Sequence, residues 1–463
     1  MNRSFFMTLS EIISSIQAFV WGPPLMVLLV GTGIFMSIRY KFIQFRGFKH
    51  AFGILGGKYD KERDPGEITH FQALTAALSA TIGTGNIVGV AAAILAGGPG
   101  AVFWMWITAL FGMALKFTSC TLAVHFRKVD ENGEAHGGPM HYIEQGMGPK
   151  FKWLAVLFAT FTMIASFGIG NMFQINNMAT SFNFLLFGDK EPTFLFNLIV
   201  GIGIAALVGA VILGGIKSIG KVASKIVPFM FVFYMGAGLI ILALNWKAIP
   251  GAFHDIFYYA FHTPMALAGG ILGTVIRNGV KRGLFSNEAG MGSAAIAHGA
   301  AKTNEPVREG LVAMLGPFID TILVCSITAL IIIVTGAHNF GHAEGELTAK
   351  AFEMGLNSMV GGKLVALGII FFAFSTTISW SYYGDRASDY LFGKKAVKPY
   401  RWVYLAFLVL GAVVQFDLVI GFSDIMNALM ALPNLVAIIV LSPIVVKLSK
   451  DYFKRMKQEK MLK

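Results

Sequence analysis

Long runs of apolar residues follow one another along the whole chain, separated only by short polar stretches. Each run holds about the 20 residues that an α-helix needs to cross roughly 30 Å of hydrocarbon. Because no polar stretch is long enough for a separate soluble domain, the pattern predicts one all-α, polytopic membrane domain. The run at 17–38 has no small-residue cleavage site after it, so we expect it to be a retained span. The eleven predicted spans are 17–38, 68–96, 99–126, 151–180, 194–214, 224–245, 265–300, 309–336, 362–383, 402–420 and 424–447.

Composition favours the same fold class. The chain has 463 residues, of which 55% are hydrophobic and 13% charged, and its mean hydropathy is +0.66. A soluble domain carries about 25% charged residues and would have to bury this apolar surface in one or two cores. Cys120 and Cys325 both lie in apolar runs, so we expect neither a disulfide framework nor a thiolate metal cluster.

The basic residues are distributed unevenly among the loops. The formal net charge is +12, which on a soluble protein would suggest a nucleic-acid partner. When the C-terminus is placed inside, however, 28 of the 37 basic residues fall in inside segments and five in outside segments. The positive-inside rule explains such a bias. It predicts a multi-pass protein of the cell membrane, with its N-terminus outside and its C-terminus cytoplasmic. The expected partner is the lipid bilayer, and no nucleic acid is expected.

Two of the spans contain glycines where a continuous helix would be weakened. The second span includes Gly-Thr-Gly-Asn at 83–86, and the seventh includes Glu-Ala-Gly-Met-Gly at 288–292. Each glycine costs about 1 kcal/mol relative to alanine in a helix interior, and broken backbone within a membrane is tolerated only around a cavity or inside protein. The amide groups of a break attract an anion, whereas oxygen atoms suit a hard cation. A matching pair of such spans is typical of a transporter's binding site.

These two spans divide the chain into halves of five spans each, 68–245 and 265–447. An odd number of spans per half requires the halves to be inverted in the membrane, and 17–38 is then an extra N-terminal helix. The alternative interpretation is close helix packing through small residues. A channel would need repeated rings of carbonyls or charges. An intramembrane enzyme built on Glu288 and His298 would lack a metal or nucleophile, so we predict that the protein is not an enzyme.

Three stretches resemble the alanine or glycine:cation symporter family. They are 97–112 (GGPGAVFWMWITALFG), 137–143 (GGPMHYI) and 282–292 (RGLFSNEAGMG). The resemblance covers nearly the whole chain and implies a fold of the leucine-transporter (LeuT) type, a five-plus-five inverted repeat with unwound first helices. It also implies sodium-coupled symport of alanine, glycine or similar small amino acids. Proton coupling, or another amino-acid carrier of the same fold, is the alternative.

The resemblance also indicates which residues would contact the substrate. Backbone N–H groups of the first break would hold the substrate carboxylate. Independently of the resemblance, Glu288 is a candidate because it is an ionisable residue at a predicted break, where it could meet the substrate ammonium group, tune the Na⁺ affinity or cap a half-helix. Span four would lie beside the substrate, although core packing explains its side chains equally well, and Trp380 could instead be an interfacial anchor. The candidate substrate-binding residues are Thr81, Gly83, Thr84, Gly85, Asn86, Phe167, Asn171, Gln174, Ser286, Asn287, Glu288, Met291 and Trp380.

A cation site is implied next to the first break. Carbonyls of the second span would face hydroxyls of the ninth span across a Na⁺ ion, the expected co-transported cation. Such hydroxyls often bond only to their own helix, which is the alternative interpretation. The candidate Na⁺ ligands are Ser79, Ile82, Ser375, Thr376 and Thr377.

Two further carboxylates receive structural interpretations. Asp320 lies within the eighth span and is predicted to pair with Lys116 or Arg282, because an ionisable residue inside a membrane needs a partner. Asp424 stands at the turn between the last two spans and is predicted to be solvated.

Overall fold

The structure is a computed structural model that describes residues 2–61, 63–131, 133–188, 190–262, 272–414 and 417–461. These residues are nearly all helical, and their one sheet is a short antiparallel hairpin of β1 (Lys128–Val129) and β2 (Ala135–His136). The first thirteen helices are α1 (Asn2–Val20), α2 (Pro23–Arg39), α3 (Ile43–Arg46), α4 (Phe48–Leu55), α5 (His70–Thr81), α6 (Val88–Gly97), α7 (Ala101–His125), α8 (Pro139–Gly146), α9 (Lys152–Phe167), α10 (Phe173–Phe187), α11 (Phe194–Ile212), α12 (Gly215–Leu244) and α13 (Ile249–Tyr259).

The second half of the chain continues the helical pattern. Its helices are α14 (Leu272–Asn287), α15 (Ser293–His298), α16 (Pro306–Ala313), α17 (Leu315–Pro317), α18 (Ser326–Val334), α19 (Glu344–Leu356), α20 (Val360–Phe392), α21 (Val397–Val413) and α22 (Asp417–Met461). Two π-helical segments, Gly168–Met172 and Phe318–Cys325, join α9 to α10 and α17 to α18. Turns of 3-10 helix lie at Thr84–Asn86, Pro149–Phe151, Trp246–Ala248, Ala337–Asn339 and Lys394–Ala396.

The membrane spans agree with most of the hydropathy pattern. Within the described residues, nine helices are long and apolar enough to cross a membrane, and α5 with α6 forms a tenth candidate that is bent by 65°. The nine correspond to nine predicted spans, and the bent pair corresponds to the span at 68–96. The predicted span at 265–300 lies partly outside the described residues, since 263–271 are not among them. The chain is therefore a polytopic helical membrane protein, and the number eleven stays a prediction.

Helix α5 begins with a strong local signal. The Thr69 side chain accepts a hydrogen bond from the Gln72 backbone N–H (3.2 Å), and the Gln72 side chain accepts one from the Thr69 backbone N–H (3.1 Å). This capping box satisfies two amide groups at the start of the helix. The helix is buried from Ala73 to Thr81, and seven of these nine residues are Ala, Ser or Thr, which lets neighbouring helices approach closely.

Helix α7 packs tightly against α14 and against the second break that follows it, through small residues. A Cβ atom at Gly112 would lie 2.6 Å from the Cβ of Ala289, and a Cβ at Gly283 would collide with the hydroxyl of Thr108. Because only glycine allows this approach, the stretches 97–112 and 282–292 hold the second broken span against the rest of the protein. The small residues in these stretches thus have a packing role that is compatible with a binding role nearby.

The segments that flank the two broken spans are joined to each other. The backbone before α5 forms a parallel bridge at Ile68 with Ala301, which lies just after α15. The Arg127 guanidinium donates hydrogen bonds to four backbone carbonyls on both segments, those of Pro65, Gly299, Ala301 and Thr303. These contacts tie the two ends together on the side that the charge bias assigns to the cytoplasm.

A buried carboxylate adds to this junction. Glu309, at the start of α16, accepts hydrogen bonds from the Nδ1 atoms of His70 on α5 and His298 on α15. All three side chains are at most 1% exposed. A buried carboxylate is stable only with such partners, so the cluster fixes α5, α15 and α16 relative to one another.

The prediction that Asp424 is solvated is wrong. Helix α22 already begins at Asp417, so Asp424 lies inside the helix and is only 7% exposed. It accepts a hydrogen bond from the Gln17 side chain of α1. Contact with the N-terminal helix removes the carboxylate from solvent, which the sequence pattern of α22 alone does not reveal.

Replacing His136 with glutamine is expected to destabilise the protein more at about pH 6 than at about pH 8.5. Its Nδ1 lies 3.2 Å from an Asp389 carboxylate oxygen, and this hydrogen bond raises the pKa of the His136 imidazole above its ordinary value. A raised pKa contributes stability that is complete below the unfolded-state pKa of about 6.5 and disappears as the pH rises through the folded-state pKa. The measurement is the thermal midpoint at both pH values.

The control for this prediction is a histidine on the surface. His254→Gln changes a residue whose side chain is 69% exposed, so its effect on the midpoint should be small at both pH values. Equal losses for His136→Gln at the two pH values would show that the imidazolium is not stabilised by Asp389.

Candidate functional site

The first break is a single turn of 3-10 helix between α5 and α6. Ile82 leaves the helical conformation, with φ −76° and ψ 88°, and Gly83 is extended. The Gly83 backbone N–H donates a hydrogen bond of 2.9 Å to Oδ1 of Asn86. The asparagine thus caps the turn as such side chains do at helix starts, which is why Gly-Thr-Gly-Asn folds into a break here.

The second break holds residues in the left-handed region. Gly290 and Gly292 both have φ 90°, and Glu288 has φ 51°. Glycine adopts this conformation freely, but for a residue with a side chain it costs of order 1–3 kcal/mol and often marks a functional site. The strained backbone at Glu288 therefore positions its carboxylate at the second break.

A cavity of about 20 Å³ lies between the first break, the π-helical start of α10, α14, α20 and α22, with room for about one water. Eight of the residues that line it are predicted substrate or cation residues, and four were not singled out. The eight are Thr81, Gly83, Thr84, Gly85, Gln174, Glu288, Thr376 and Trp380. The four are Ala80, Ile169, Phe285 and Asn427.

Three side-chain oxygen atoms in the walls of this cavity lack a hydrogen-bond partner among the described residues. They are Thr84 Oγ1, Gln174 Oε1 and Asn427 Oδ1, and all three are buried. More than about 90% of buried polar groups in proteins are hydrogen-bonded, so these three exceptions leave acceptor oxygens in one cavity that can bind a polar group. The amide of Gln174 is held in place because its Nε2 donates to the Ile169 carbonyl (3.0 Å).

The same cavity contains a carboxylate. Glu288 is 5% exposed and accepts a hydrogen bond of 2.5 Å from the Ser293 hydroxyl. The indole nitrogen of Trp380 lies close to it. A buried carboxylate in a neutral wall is an acceptor for a cationic group, either an ammonium or a metal ion.

The predicted cation residues lie where α5 and α20 meet. The Ser79 hydroxyl donates to the Ser375 carbonyl (2.7 Å), and a Cβ atom at Gly83 would lie 2.8 Å from Thr376 Oγ1. The hydroxyl hydrogens of Ser375, Thr376 and Thr377 all bond to carbonyls of their own helix. This back-bonding leaves oxygen lone pairs available for a cation, and Thr376 directs its hydroxyl toward the first break.

A hydrogen-bonded network around Asp320 connects the two breaks, and the sequence interpretation of this residue was wrong. Asp320 Oδ1 accepts from Asn86 Nδ2 (2.6 Å), and Oδ2 accepts from the hydroxyls of Ser286 (2.7 Å) and Thr321 (2.7 Å). Thr321 in turn accepts from the Asn287 amide (3.1 Å). The predicted substrate residues Asn86, Ser286 and Asn287 therefore support the breaks and do not line the cavity.

The predicted ion pairs of Asp320 do not form in the part of the chain that the structure describes. Arg282 lies 3.7 Å from a Glu344 carboxylate oxygen instead, and Lys116 has no ion pair within 4.0 Å there. Asp320 is completely buried, and neutral donors satisfy it. A buried aspartate in an apolar run is a detectable signal, but its partners come from spans that are far apart in sequence.

Other predicted residues lie away from the cavity. Phe167 packs its ring against α21, with centroids 5.3 Å from Tyr400 and 4.9 Å from Phe407. The Asn171 side-chain amide donates a hydrogen bond to the backbone carbonyl of Tyr404, which is also on α21 (2.7 Å). Met291 is buried in the core between helices and does not line the cavity. The positions of these three side chains therefore agree with the alternative interpretation, in which they pack in the core.

Among the lining residues that were not singled out, two had a signal in the sequence. Phe285 belongs to the stretch 282–292 that carried the family resemblance, and Asn427 is an amide inside an apolar run. Ala80 and Ile169 are ordinary apolar residues, so only their position in the fold brings them to the cavity.

Comparisons with known proteins agree with this architecture. A family model described as the sodium:alanine symporter family matches residues 6–463. An uncharacterized transporter of Haemophilus influenzae is 46% identical over 462 residues, covering 97% of this chain and 98% of that protein. The sodium/alanine symporter AgcS of Methanococcus maripaludis is 46% identical over 457 residues, with the same 97% and 98% coverage.

A solved structure shows the same fold. The crystal structure of MhsT in complex with L-phenylalanine has a TM-score of 0.58 to this chain and covers 80% of it and 89% of its own chain. The two sequences are 14% identical, so the likeness concerns the fold alone, which is of the leucine-transporter type.

Proposed function

The chain belongs to the sodium:alanine symporter family, and on that premise we propose that it imports a small neutral amino acid, alanine or glycine, together with Na⁺ by alternating access. The observation that carries this proposal is the cavity between the two breaks, with its three unpartnered buried oxygen atoms and one buried carboxylate. A zwitterion supplies both a carboxylate and an ammonium group to such a site. No bond of the substrate is made or broken, so the proposed function is transport and not catalysis.

The proposed substrate position uses the two breaks differently. Backbone N–H groups and the Thr84 hydroxyl at the first break would hold the substrate carboxylate, as half-helix N-termini do for anionic groups. Glu288 and the orphaned oxygens of Gln174 and Asn427 would receive the ammonium group. Phe285 and Trp380 would limit the side chain of the substrate to a small one, because both rings stand in the cavity wall.

The cavity is too small for an amino acid in this conformation. Its volume of about 20 Å³ fits about one water, so the walls have to separate before a substrate can enter. Rocking of one group of helices against the other would enlarge it from one side at a time, which is the motion that alternating access requires.

The proposed Na⁺ site lies between α5 and α20. Carbonyls of Ser79 and Ile82 would face the hydroxyls of α20, and Thr376 is the closest of these to the first break. Oxygen ligands of this kind suit a hard cation. One Na⁺ moving through 100 mV is worth about 2.3 kcal/mol, which exceeds the roughly 1.4 kcal/mol needed for tenfold accumulation of substrate.

We also propose the inverted-repeat arrangement that the sequence predicts. The halves 68–245 and 265–447 would each contribute five spans, with 17–38 as the extra helix, an N-terminus outside and a C-terminus in the cytoplasm. The likeness to MhsT supports this proposal, as does the position of both breaks beside one cavity.

Uptake of labelled alanine into proteoliposomes tests the proposed function. An inward Na⁺ gradient should drive saturable accumulation, and replacing Na⁺ with K⁺ at the same ionic strength should abolish it. Accumulation driven by a proton gradient without Na⁺ would overturn the sodium coupling, and uptake that does not saturate would overturn the carrier mechanism.

Replacing Thr376 with valine is expected to raise the Na⁺ concentration for half-maximal uptake on the order of tenfold, because one oxygen ligand to the ion is lost while the side-chain shape is kept. The half-maximal alanine concentration at saturating Na⁺ should change much less. Uptake at graded Na⁺ concentrations measures both quantities.

One further valine variant serves as the control for Thr376, and another tests Thr377, which is itself a candidate Na⁺ ligand. Thr162→Val removes a buried hydroxyl that bonds back to its own helix (2.8 Å) away from the cavity, and it should leave the Na⁺ dependence unchanged. Thr377→Val tests the neighbouring hydroxyl, which does not line the cavity. An unchanged Na⁺ dependence in Thr376→Val would refute the proposed ligand.

A further inference from the structure

A second cavity lies at the end of the spans that the charge bias assigns to the cytoplasm. It has a volume of about 350 Å³, within the range of about 300–1,000 Å³ that ligand sites occupy. Its walls are the end of α2, the adjoining turn and short helix α3, and the C-terminal turns of α22. Six cationic side chains line it: Arg39, Lys41, Arg46, Lys450, Lys454 and Lys457.

The positive charge of this pocket is not balanced by neighbouring acids. In the part of the chain that the structure describes, no carboxylate lines the pocket, and none of the six cations has an ion pair within 4.0 Å. Arg455 on the same helix does have such pairs, with Asp451 and Glu305. Asp451 and Glu305 therefore pair with Arg455 and not with the six cations of the pocket.

The spacing on α22 concentrates the charge. Lys450, Lys454 and Lys457 are four and three residues apart, so they share one face of the helix. Like charges at this spacing repel and weaken a helix slightly. The arrangement is accordingly more favourable when an anion lies between the lysines and the basic residues of the opposite wall.

The opposite wall is a tightly constrained turn. Lys41 and Phe42 both have positive φ, 53° and 54°, and the Phe42 backbone N–H donates to the Ser37 carbonyl (2.7 Å). This turn closes α2 and places Lys41 and Arg46 on the same pocket wall.

The apolar pattern of α22 places the pocket at the expected level of a membrane surface. The apolar run of α22 ends near residue 447, and the three lysines come within the next ten residues, which is about 15 Å along a helix. Phe42 and Phe45, beside the pocket, are 44% and 64% exposed. Phenylalanine rings on one side and basic side chains on the other are typical of segments that lie in the interface between hydrocarbon and water.

The remaining lining residues suit the other parts of a phospholipid. The hydroxyl of Ser449 is buried and has no hydrogen-bond partner among the described residues, so it can donate to a phosphate oxygen. Ile43, Val446 and Phe453 provide apolar surface beside it for the start of an acyl chain. Basic pockets between membrane helices on the cytoplasmic side are known to bind anionic head groups.

We infer that this pocket binds a phosphate group, and that its source is an anionic phospholipid of the cytoplasmic leaflet. The inference does not depend on the proposed substrate or its coupling ion, because none of its residues contributes to the cavity between the breaks. Its assignment to the cytoplasmic leaflet rests on the proposed orientation. A soluble phosphate ester presents the same phosphate chemistry without acyl chains, so the test has to distinguish the two sources.

Lipid titration of the purified full-length protein, followed by native mass spectrometry, tests the inference. Phosphatidylglycerol should bind at lower concentration than phosphatidylcholine. The triple variant Lys450→Gln, Lys454→Gln, Lys457→Gln should weaken phosphatidylglycerol binding on the order of 100-fold, since each lysine near an anionic surface contributes about fivefold. The matched control is Lys217→Gln, Lys221→Gln, Lys225→Gln, three exposed lysines of α12, which should bind like the unmodified protein.

Two more arms complete the test. Arginine at the three pocket positions should retain binding, and gel filtration should show that all variants stay folded. Equal loss in the pocket and control variants would overturn the inference, because the charge would then act as a diffuse surface. Binding of glycerol 3-phosphate with the same dependence on the pocket lysines, without preference for phosphatidylglycerol, would overturn the lipid as its source.

Discussion

Replacing Asp320 with asparagine is expected to reduce the maximal rate of alanine uptake on the order of 100-fold or more. The carboxylate accepts hydrogen bonds from Asn86 beside the first break and from Ser286 beside the second. Asparagine has the same shape, but its NH₂ group replaces one of the two carboxylate oxygens and cannot accept the hydrogen bonds that this oxygen accepted. Hydrogen bonds to a charged group contribute about 1.5–3 kcal/mol each, and roughly 1.4 kcal/mol corresponds to a factor of ten, so the loss of two such bonds accounts for the expected effect.

The Asp320 prediction separates a role in transport from a role in folding. Uptake and the thermal midpoint are measured on the same preparation, with Thr321→Ser as the control that keeps a hydroxyl next to Asp320 (2.7 Å). We expect Thr321→Ser to transport at close to the normal rate. A folded Asp320→Asn protein with normal uptake would show that the network does not couple the two breaks.

Replacing Glu309 with glutamine is expected to cost about 3 kcal/mol of stability or more. Its carboxylate accepts from two imidazole nitrogens, those of His70 and His298, and all three groups are buried. A glutamine offers one carbonyl oxygen where two acceptors are needed, so one imidazole is left facing a donor. Removing one partner from a buried ionic cluster typically costs about 3–5 kcal/mol.

The thermal midpoint of the detergent-solubilised protein measures the effect of Glu309→Gln. The matched control is Glu305→Gln, four residues earlier, whose carboxylate pairs with the half-exposed Arg455 (2.6 Å). Surface pairs of this kind contribute about 0–1 kcal/mol, so its midpoint should hardly change. Equal midpoints for the two variants would contradict the proposed junction between α5, α15 and α16.

The fourth predicted span shows why some site residues could not be assigned from the sequence, since the direction in which its side chains point changes along the span. Phe167, Asn171 and Gln174 stand at helical spacing and would share one face of a regular α-helix. The π-helical segment Gly168–Met172 adds a residue to one turn and rotates the rest of the span about its axis. As a result Gln174 lines the cavity with Ile169, whereas Phe167 packs against α21.

Tertiary contact also decided which polar residues support the site and which line it. Asn86 and Glu288 are both polar residues at glycine breaks, and the sequence treats them alike. In the fold, the Asn86 side chain donates a hydrogen bond to Asp320 and accepts one from the Gly83 backbone N–H. Glu288, in contrast, lies in the cavity wall. Asn427 reaches the same wall from α22, more than 130 residues away, and no local pattern connects the two.

The sequence by itself determined the membrane class, the approximate limits of most spans and the position of both breaks. These depend on local properties, since apolar length decides whether a helix can cross a bilayer and glycine pairs decide where it is interrupted. Only the tertiary structure decided which face of each interrupted helix meets the cavity, and that Asp320 joins the breaks. Those features depend on hydrogen bonds and packing between helices distant in the chain, which hydropathy and spacing do not encode.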